Sequence, residues 1–280
     1  MSSFPVLSDH DYLNFVGAIR HRGANESTHV AEVRYPVQRA GVTSVVKLMR
    51  PDGIGLCNEA IAWLFLRAIG LPVPQHAGIL IMTEKKAKAV LGRSAVPTEL
   101  VSGGYVLAWA SQQLAFSSIR ALFSGCEGDA KWLDVLRTDT GAAIAAFDEL
   151  FHNIDRNLGN VLFHGKGSCI PIDHEQIFAV QNWIAGEIQQ LAGNGDSLRA
   201  LNRAHTGKKL STSDWTRVRD TMVACSQHHK GALDVCRVQV LELLTTLFKG
   251  AGSIYANRIL SFVDLRCQDN WMQQRVGALT

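Results

Sequence analysis

The stretch Phe147-Asp148-Glu149-Leu150-Phe151-His152-Asn153-Ile154-Asp155-Arg156-Asn157-Leu158-Gly159-Asn160-Val161-Leu162-Phe163, followed after a glycine turn by Cys169-Ile170-Pro171-Ile172-Asp173-His174-Glu175-Gln176-Ile177-Phe178, decides the fold. Its pattern predicts the end of a helix over 138–151, a polar loop, a strand over 160–164, a turn at 165–167 and a second strand over 169–172. This is a hairpin with Asp155 and Asn160 before its first strand and Asp173 after its second.

Phosphoryl transfer from a metal-bound nucleotide needs such a set. One carboxylate orients an acceptor hydroxyl, and an amide oxygen and a second carboxylate hold Mg²⁺ on the phosphates. An Asp-x-x-x-x-Asn spacing alone is weak, because polar loops produce it by chance. The hairpin and the Ile172-Asp173 end add weight.

The stretch resembles the catalytic and metal loops of the HipA-like kinases, relatives of the phosphatidylinositol 3/4-kinases in the wider protein-kinase-like superfamily. Their pattern of Asn-x-Asp-Arg/His-x-x-x-Asn, an apolar strand and Ile-Asp-His/Asn is supplied here by Asn153, Asp155, Arg156, Asn160, Ile172, Asp173 and His174. His174-Glu175 stands where ordinary protein kinases carry Phe-Gly. The resemblance implies an α+β, bilobal protein-kinase-like fold. Its N-lobe, residues 1–108, would be a small antiparallel sheet with one helix, and its C-lobe, residues 109–280, would be helical. It implies ATP and Mg²⁺ as cofactors, Asp155 as the acceptor-orienting base, and Asn160 and Asp173 as metal ligands. His152 and Asn153 would shape the loop by hydrogen bonds, and Arg156 would pair with a phosphate or with Glu175.

The N-terminal half is read for the remaining parts. Strands over 15–20, 29–35 and 42–49 make an antiparallel meander. Between the first two lies a small polar loop. There Gly23, Asn25, Ser27 and Thr28 either cradle phosphates through backbone N–H groups and hydroxyls or form a solvated hairpin loop. Lys47 sits in the strand Ser44-Val45-Val46-Lys47-Leu48-Met49 and faces either solvent or, as the resemblance implies, the nucleotide phosphates. Glu59 lies near the start of a helix over 58–69, with Asn58 as its N-cap. It is either a carboxylate favoured by the helix dipole or the ion-pair partner of Lys47. The Asn-Glu followed by Gly70-Leu71-Pro72-Val73-Pro74, seen in HipA-like proteins, favours the pair. Further strands over 77–82 and 104–110 flank a charged connection at 84–88. The resemblance makes the backbone of Leu107, Trp109 and Ala110 the interlobe hinge that meets adenine, although Trp109 reads better as core.

From residue 112 the pattern is helical, over 114–123, 129–136, 138–151, 183–192, 196–205, 213–226, 233–248 and 253–264. The net charge of +3 is too small for a nucleic-acid-binding argument. Six scattered cysteines contain no Cys-x-x-Cys pair, which argues against zinc and for reduced thiols in a cytoplasmic protein. His228-His229 is adjacent on a helix and lacks a third ligand, so it is not read as a metal site. No signal segment, membrane span or polybasic cluster is evident.

The resemblance therefore implies a serine/threonine protein kinase, with autophosphorylation at Ser27 or Thr28 as one outcome. A protein substrate is expected, together with an antitoxin or regulatory partner. Lipid kinase, AMP transferase and pseudokinase scaffold are the alternatives. HipA itself carries an additional N-terminal region, so a minimal kinase core is expected here.

Overall fold

The computed structural model describes residues 4–19, 27–36, 38–92, 96–165, 168–191 and 209–277. Its chain divides into two compact units, residues 1–63 with 74–115 and residues 64–73 with 116–280.

The first unit is built on strands β1 (Val6–Leu7), β2 (Tyr12–Ala18), β3 (His29–Val33), β4 (Val42–Met49), β5 (Ala77–Thr83), β6 (Val101–Ser102) and β7 (Tyr105–Gln112). They form one sheet in the order β1-β5-β7-β4-β3-β2, with β6 on β7. Every pairing is antiparallel except β1 with β5. Alternation along β4 sends Val46 and Leu48 to one face, where they join Ala31, Val33, Leu80, Met82, Val106 and Ala108 in a core. Helix α2 (Glu84–Leu91), N-capped by the Thr83 hydroxyl, adds Ala87, Val90 and Leu91 to that core. The expected charged connection at 84–88 is therefore a short helix with an apolar side.

Lys47 belongs to the opposite face, paired in register with Trp109. Trp109 stacks on Phe4 at 6.0 Å, and Phe4 meets Trp63 of helix α1 (Ile54–Ala68) edge-on at 5.7 Å. Helix α1 begins before the expected start at Asn58. The Asp52 carboxylate accepts from Ile54 N at 2.9 Å after the Pro51-Asp52-Gly53 turn, and Asn58 is a buried interior residue.

The second unit holds helices α3 (Ile119–Leu122), α4 (Gly125–Leu136), α5 (Asp139–Leu150), α6 (Thr212–Ser226), α7 (His229–Phe248), α8 (Gly252–Arg266) and α9 (Trp271–Val276). A two-stranded sheet, β8 (Val161–Gly165) with β9 (Ser168–Pro171), completes it. Helix α5 is its axis, with Ile144 to Leu150 all buried. A chain of aromatic rings, Phe65, Phe151, Phe178 and Phe262, runs through the interior at centroid spacings of 4.8, 5.8 and 5.5 Å. Two expected helices are shorter than read. Residues 114–118 are non-helical, with Ser118 bridged to Leu162, so only Ile119–Leu122 is helical. Gly186 takes φ 89°, which breaks 183–192 into a turn and a 3-10 segment at Glu187–Leu191. The expected helix over 196–205 lies outside the described residues. Among the described residues no helix is long and apolar enough to cross a membrane.

The architecture is thus mixed α+β, with a mostly antiparallel N-terminal sheet and a helical C-terminal part.

Candidate functional site

The loop after α5 is organised by a buried ion pair. Asp148, fully buried on the last turn of α5, receives Arg156 Nε on Oδ2 at 3.0 Å and Nη2 on Oδ1 at 3.1 Å. Asn153 Nδ2 adds a third donor to Oδ1 at 2.9 Å. The remaining Arg156 nitrogen, Nη1, donates to the carbonyls of Asn160 at 2.8 Å and Ile172 at 2.9 Å. One guanidinium therefore joins the end of α5, the start of β8 and the residue just before Asp173. Arg156 is consumed by these contacts, which overturns the expectation that it pairs with a phosphate or with Glu175.

The loop is closed further by side chain–backbone bonds. Asn153 Oδ1 accepts from Asp155 N at 3.1 Å. Asn157 Nδ2 donates to Asp155 O at 2.9 Å, and its Oδ1 accepts from Gly159 N at 2.8 Å. Asn160 Nδ2 donates to Asp155 O at 3.0 Å and to Asp155 Oδ2 at 3.2 Å. These acceptors fix the orientation of the Asn160 amide, so its Oδ1 points away from Asp155. Ile172 N donates to Asn160 O at 3.0 Å, which extends the β8–β9 ladder by one pair and sets Ile172, the residue before Asp173, opposite Asn160.

Asp173 adopts φ 59°, as His152 does at φ 51°, Phe178 at φ 60° and Ala179 at φ 52°. Left-handed backbone in non-glycine residues is strained and persists only where the surroundings over-determine it. Here the Arg156 bond to Ile172 O sits immediately before Asp173, and Phe178 N and Ala179 N donate to Phe151 O at 2.7 Å and His152 O at 2.9 Å. His174 is buried edge-on to Phe147 at 5.6 Å. Burial, and then the Arg156 charge, push its pKa down to about 3, so it is a neutral packing group.

The carbonyl end of α5 is braced by α8 and α9. Arg266 Nη1 donates to Glu149 O at 2.9 Å and Leu150 O at 3.1 Å, which places a cation at the negative end of the helix. Arg275 Nε reaches Glu149 Oε2 at 2.8 Å with both side chains buried.

The first unit carries the other expected residues. Lys47 is half-buried on β4, and Glu59 is 4% exposed in the second turn of α1. Glu59 and Trp63 are one helical turn apart and share a face of α1. Trp63 packs through Phe4 onto Trp109, the register partner of Lys47. Lys47 and Trp109 therefore share one face of the sheet, and Glu59 and Trp63 share one face of α1. The helix-dipole explanation of Glu59 loses its footing, because α1 has no acidic residue in its first turn.

Ser27 is buried and Thr28 half-buried, while Gly23 and Asn25 lie outside the described residues. His29 Nδ1 donates to Ser27 O at 2.9 Å, and burial lowers its pKa, so the neutral ring ties down the end of that loop.

The expected adenine contacts at Leu107, Trp109 and Ala110 are corrected. All three lie inside β7, paired with β4 on one side and β5 on the other, so their backbone groups belong to the ladders. The first unit runs to Ala115 and leaves out residues 64–73, which group with the second, where a single boundary at 108 was expected.

No protein-family model and no curated protein matches this chain. The site is therefore read from its own chemistry. Asp148 was missed by the sequence reading; its signal was an Asp-Glu pair inside an otherwise apolar helix face.

Proposed function

We propose that the chain is an ATP- and Mg²⁺-dependent phosphotransferase of HipA-like type with a protein-kinase-like fold, acting on a serine or threonine hydroxyl. The observation that carries this reading is Arg156, which holds the Asp155–Asn160 loop and the residue before Asp173 in one hydrogen-bonded frame. Asn160 Oδ1 and the Asp173 carboxylate would hold Mg²⁺, which would neutralise phosphate charge. Magnesium on a nucleotide keeps several waters and needs only one or two protein ligands, so a pair of this kind suffices. Asp155 retains Oδ1 to accept an acceptor proton while Oδ2 is engaged by Asn160. Lys47, with Glu59 as counter-charge, would neutralise phosphate charge. A buried carboxylate in mid-helix requires such compensation. Positioning and charge stabilisation would carry the rate, since a dissociative transition state asks for little covalent chemistry.

The test is incubation with Mg²⁺ and γ-labelled ATP beside Asp155→Ala and Asp173→Ala. Label in the wild type, lost in both variants, is expected. Label from α-labelled ATP instead would mean AMP transfer. Absence of any MgATP binding would overturn the reading.

A further inference from the structure

Consumption of Arg156 leaves the loop with a different accessible cation. Arg120 on α3 is exposed, and its Nη2 donates to Asn157 Oδ1 at 2.8 Å. Asn157 in turn bonds Asp155 O. Gly159 makes room for this approach: a Cβ there would stand 3.5 Å from Arg120 Cζ and 3.0 Å from Asn157 Oδ1. Among the described residues this is the only hydrogen bond of the Arg120 side chain, which is exposed, so the rest of its planar fork of N–H donors is open to solvent two hydrogen bonds from Asp155. Ile154, beside Asp155, is 40% exposed and adds an apolar contact on the same loop.

We infer that Arg120 is a specificity-determining residue, whose guanidinium pairs with a carboxylate flanking the acceptor hydroxyl of a polypeptide substrate. This rests on the phosphotransferase reading and names its acceptor. A guanidinium matches a carboxylate bidentately, and one already anchored on the loop loses little freedom on pairing. An extended peptide offers the carboxylate, the hydroxyl and an apolar side chain for Ile154 together. A lipid surface would instead call for several clustered cations.

The experiment compares three synthetic peptides, identical except for Glu, Gln or Lys flanking one serine, as acceptors with γ-labelled ATP and the full chain. Wild type should favour the Glu peptide over the Lys peptide by about fivefold in kcat/KM, the scale of one partly exposed ion pair. Arg120→Glu should reverse that order, and Arg120→Lys should keep it in weakened form. Loss of the Asn157 bond lowers the rate with every peptide, so the ratio between peptides is the readout, and a purely structural role would leave it unmoved. No preference in the wild type, or a ratio unchanged in Arg120→Glu, overturns the inference. If the wild type labels none of the peptides the inference also falls, and MgATP binding by the same protein then shows whether the phosphotransferase reading falls with it.

Discussion

Arg156 and Asp148 face each other with Nε to Oδ2 at 3.0 Å, and both side chains are 1% exposed. A buried pair of this kind is held by geometry, because removing either partner strands a charge in low dielectric. Asp148→Ala should therefore cost about 3–5 kcal/mol in urea unfolding. Asp148→Leu combined with Arg156→Met should recover much of that loss while remaining inactive, since the Ile172 carbonyl then loses its guanidinium donor and the Asn160 carbonyl keeps only Ile172 N. A double variant as unstable as Asp148→Ala would show that the carbonyl bonds, not the ion pair, dominate.

Lys47 and Glu59 predict a separate pattern. Glu59→Gln keeps the volume but replaces a carboxylate with a neutral amide, and so removes the counter-charge proposed for Lys47. Phosphate transfer should fall about a hundredfold, with Tm lowered by only a few degrees. Measured transfer within about twofold of wild type would remove Glu59 from the mechanism.

Gly159→Ala isolates the packing under Arg120. The new Cβ would stand 3.0 Å from Asn157 Oδ1, so the amide must shift. The change should cost about 1 kcal/mol of stability and about tenfold in transfer rate through displacement of the Asp155 loop. Thermal denaturation and labelling kinetics on the same preparation separate the two effects.

His229 offers a pH-dependent test away from the candidate site. It is 1% exposed, packs edge-on to Phe65 at 5.7 Å, and neither ring nitrogen has a hydrogen-bond partner among the described residues. Burial, then the neighbouring His228, lower its pKa from 6.5 to about 4. The unfolded chain binds the proton more readily, so the stability linked to this group is fully present above pH 6.5 and declines as pH falls toward 4. His229→Leu removes that dependence. Its advantage over wild type should grow by about 3 kcal/mol across the window, read from urea midpoints at either end. His174 adds a similar term in both proteins, which cancels in the comparison.

Much of this architecture was legible in the sequence. Strand propensity marked β3, β4 and β5, and the apolar spacing of α5, α6, α7 and α8 marked the helices within a few residues. Asn153 was expected to shape the loop and bonds both Asp148 and Asp155. The misreadings have local causes. Leu114 and Phe116 suggest a helix face, but the backbone beside them is drawn into a bridge with β8. Asp52 caps α1 from within a proline–glycine turn, which hid the true start behind Asn58. Asp148 was invisible as a structural hub because a carboxylate on a helix ordinarily faces water, and its partner Arg156 lies in a loop with no periodicity. Strand propensity does not reveal how many neighbours a strand has, which hid that β7 has one on each side over Leu107–Ala110.

The shared guanidinium of Arg156 also has a consequence for how this chain can diverge. A substitution at Asp148 strands the guanidinium, and one at Arg156 strands the carboxylate and also removes the donor to the Asn160 and Ile172 carbonyls, so neither position can drift by single neutral steps. In any family of sequences built on this loop, positions 148 and 156 should change together or stay fixed, while Arg120, anchored by one bond and open to water, should vary with the substrate.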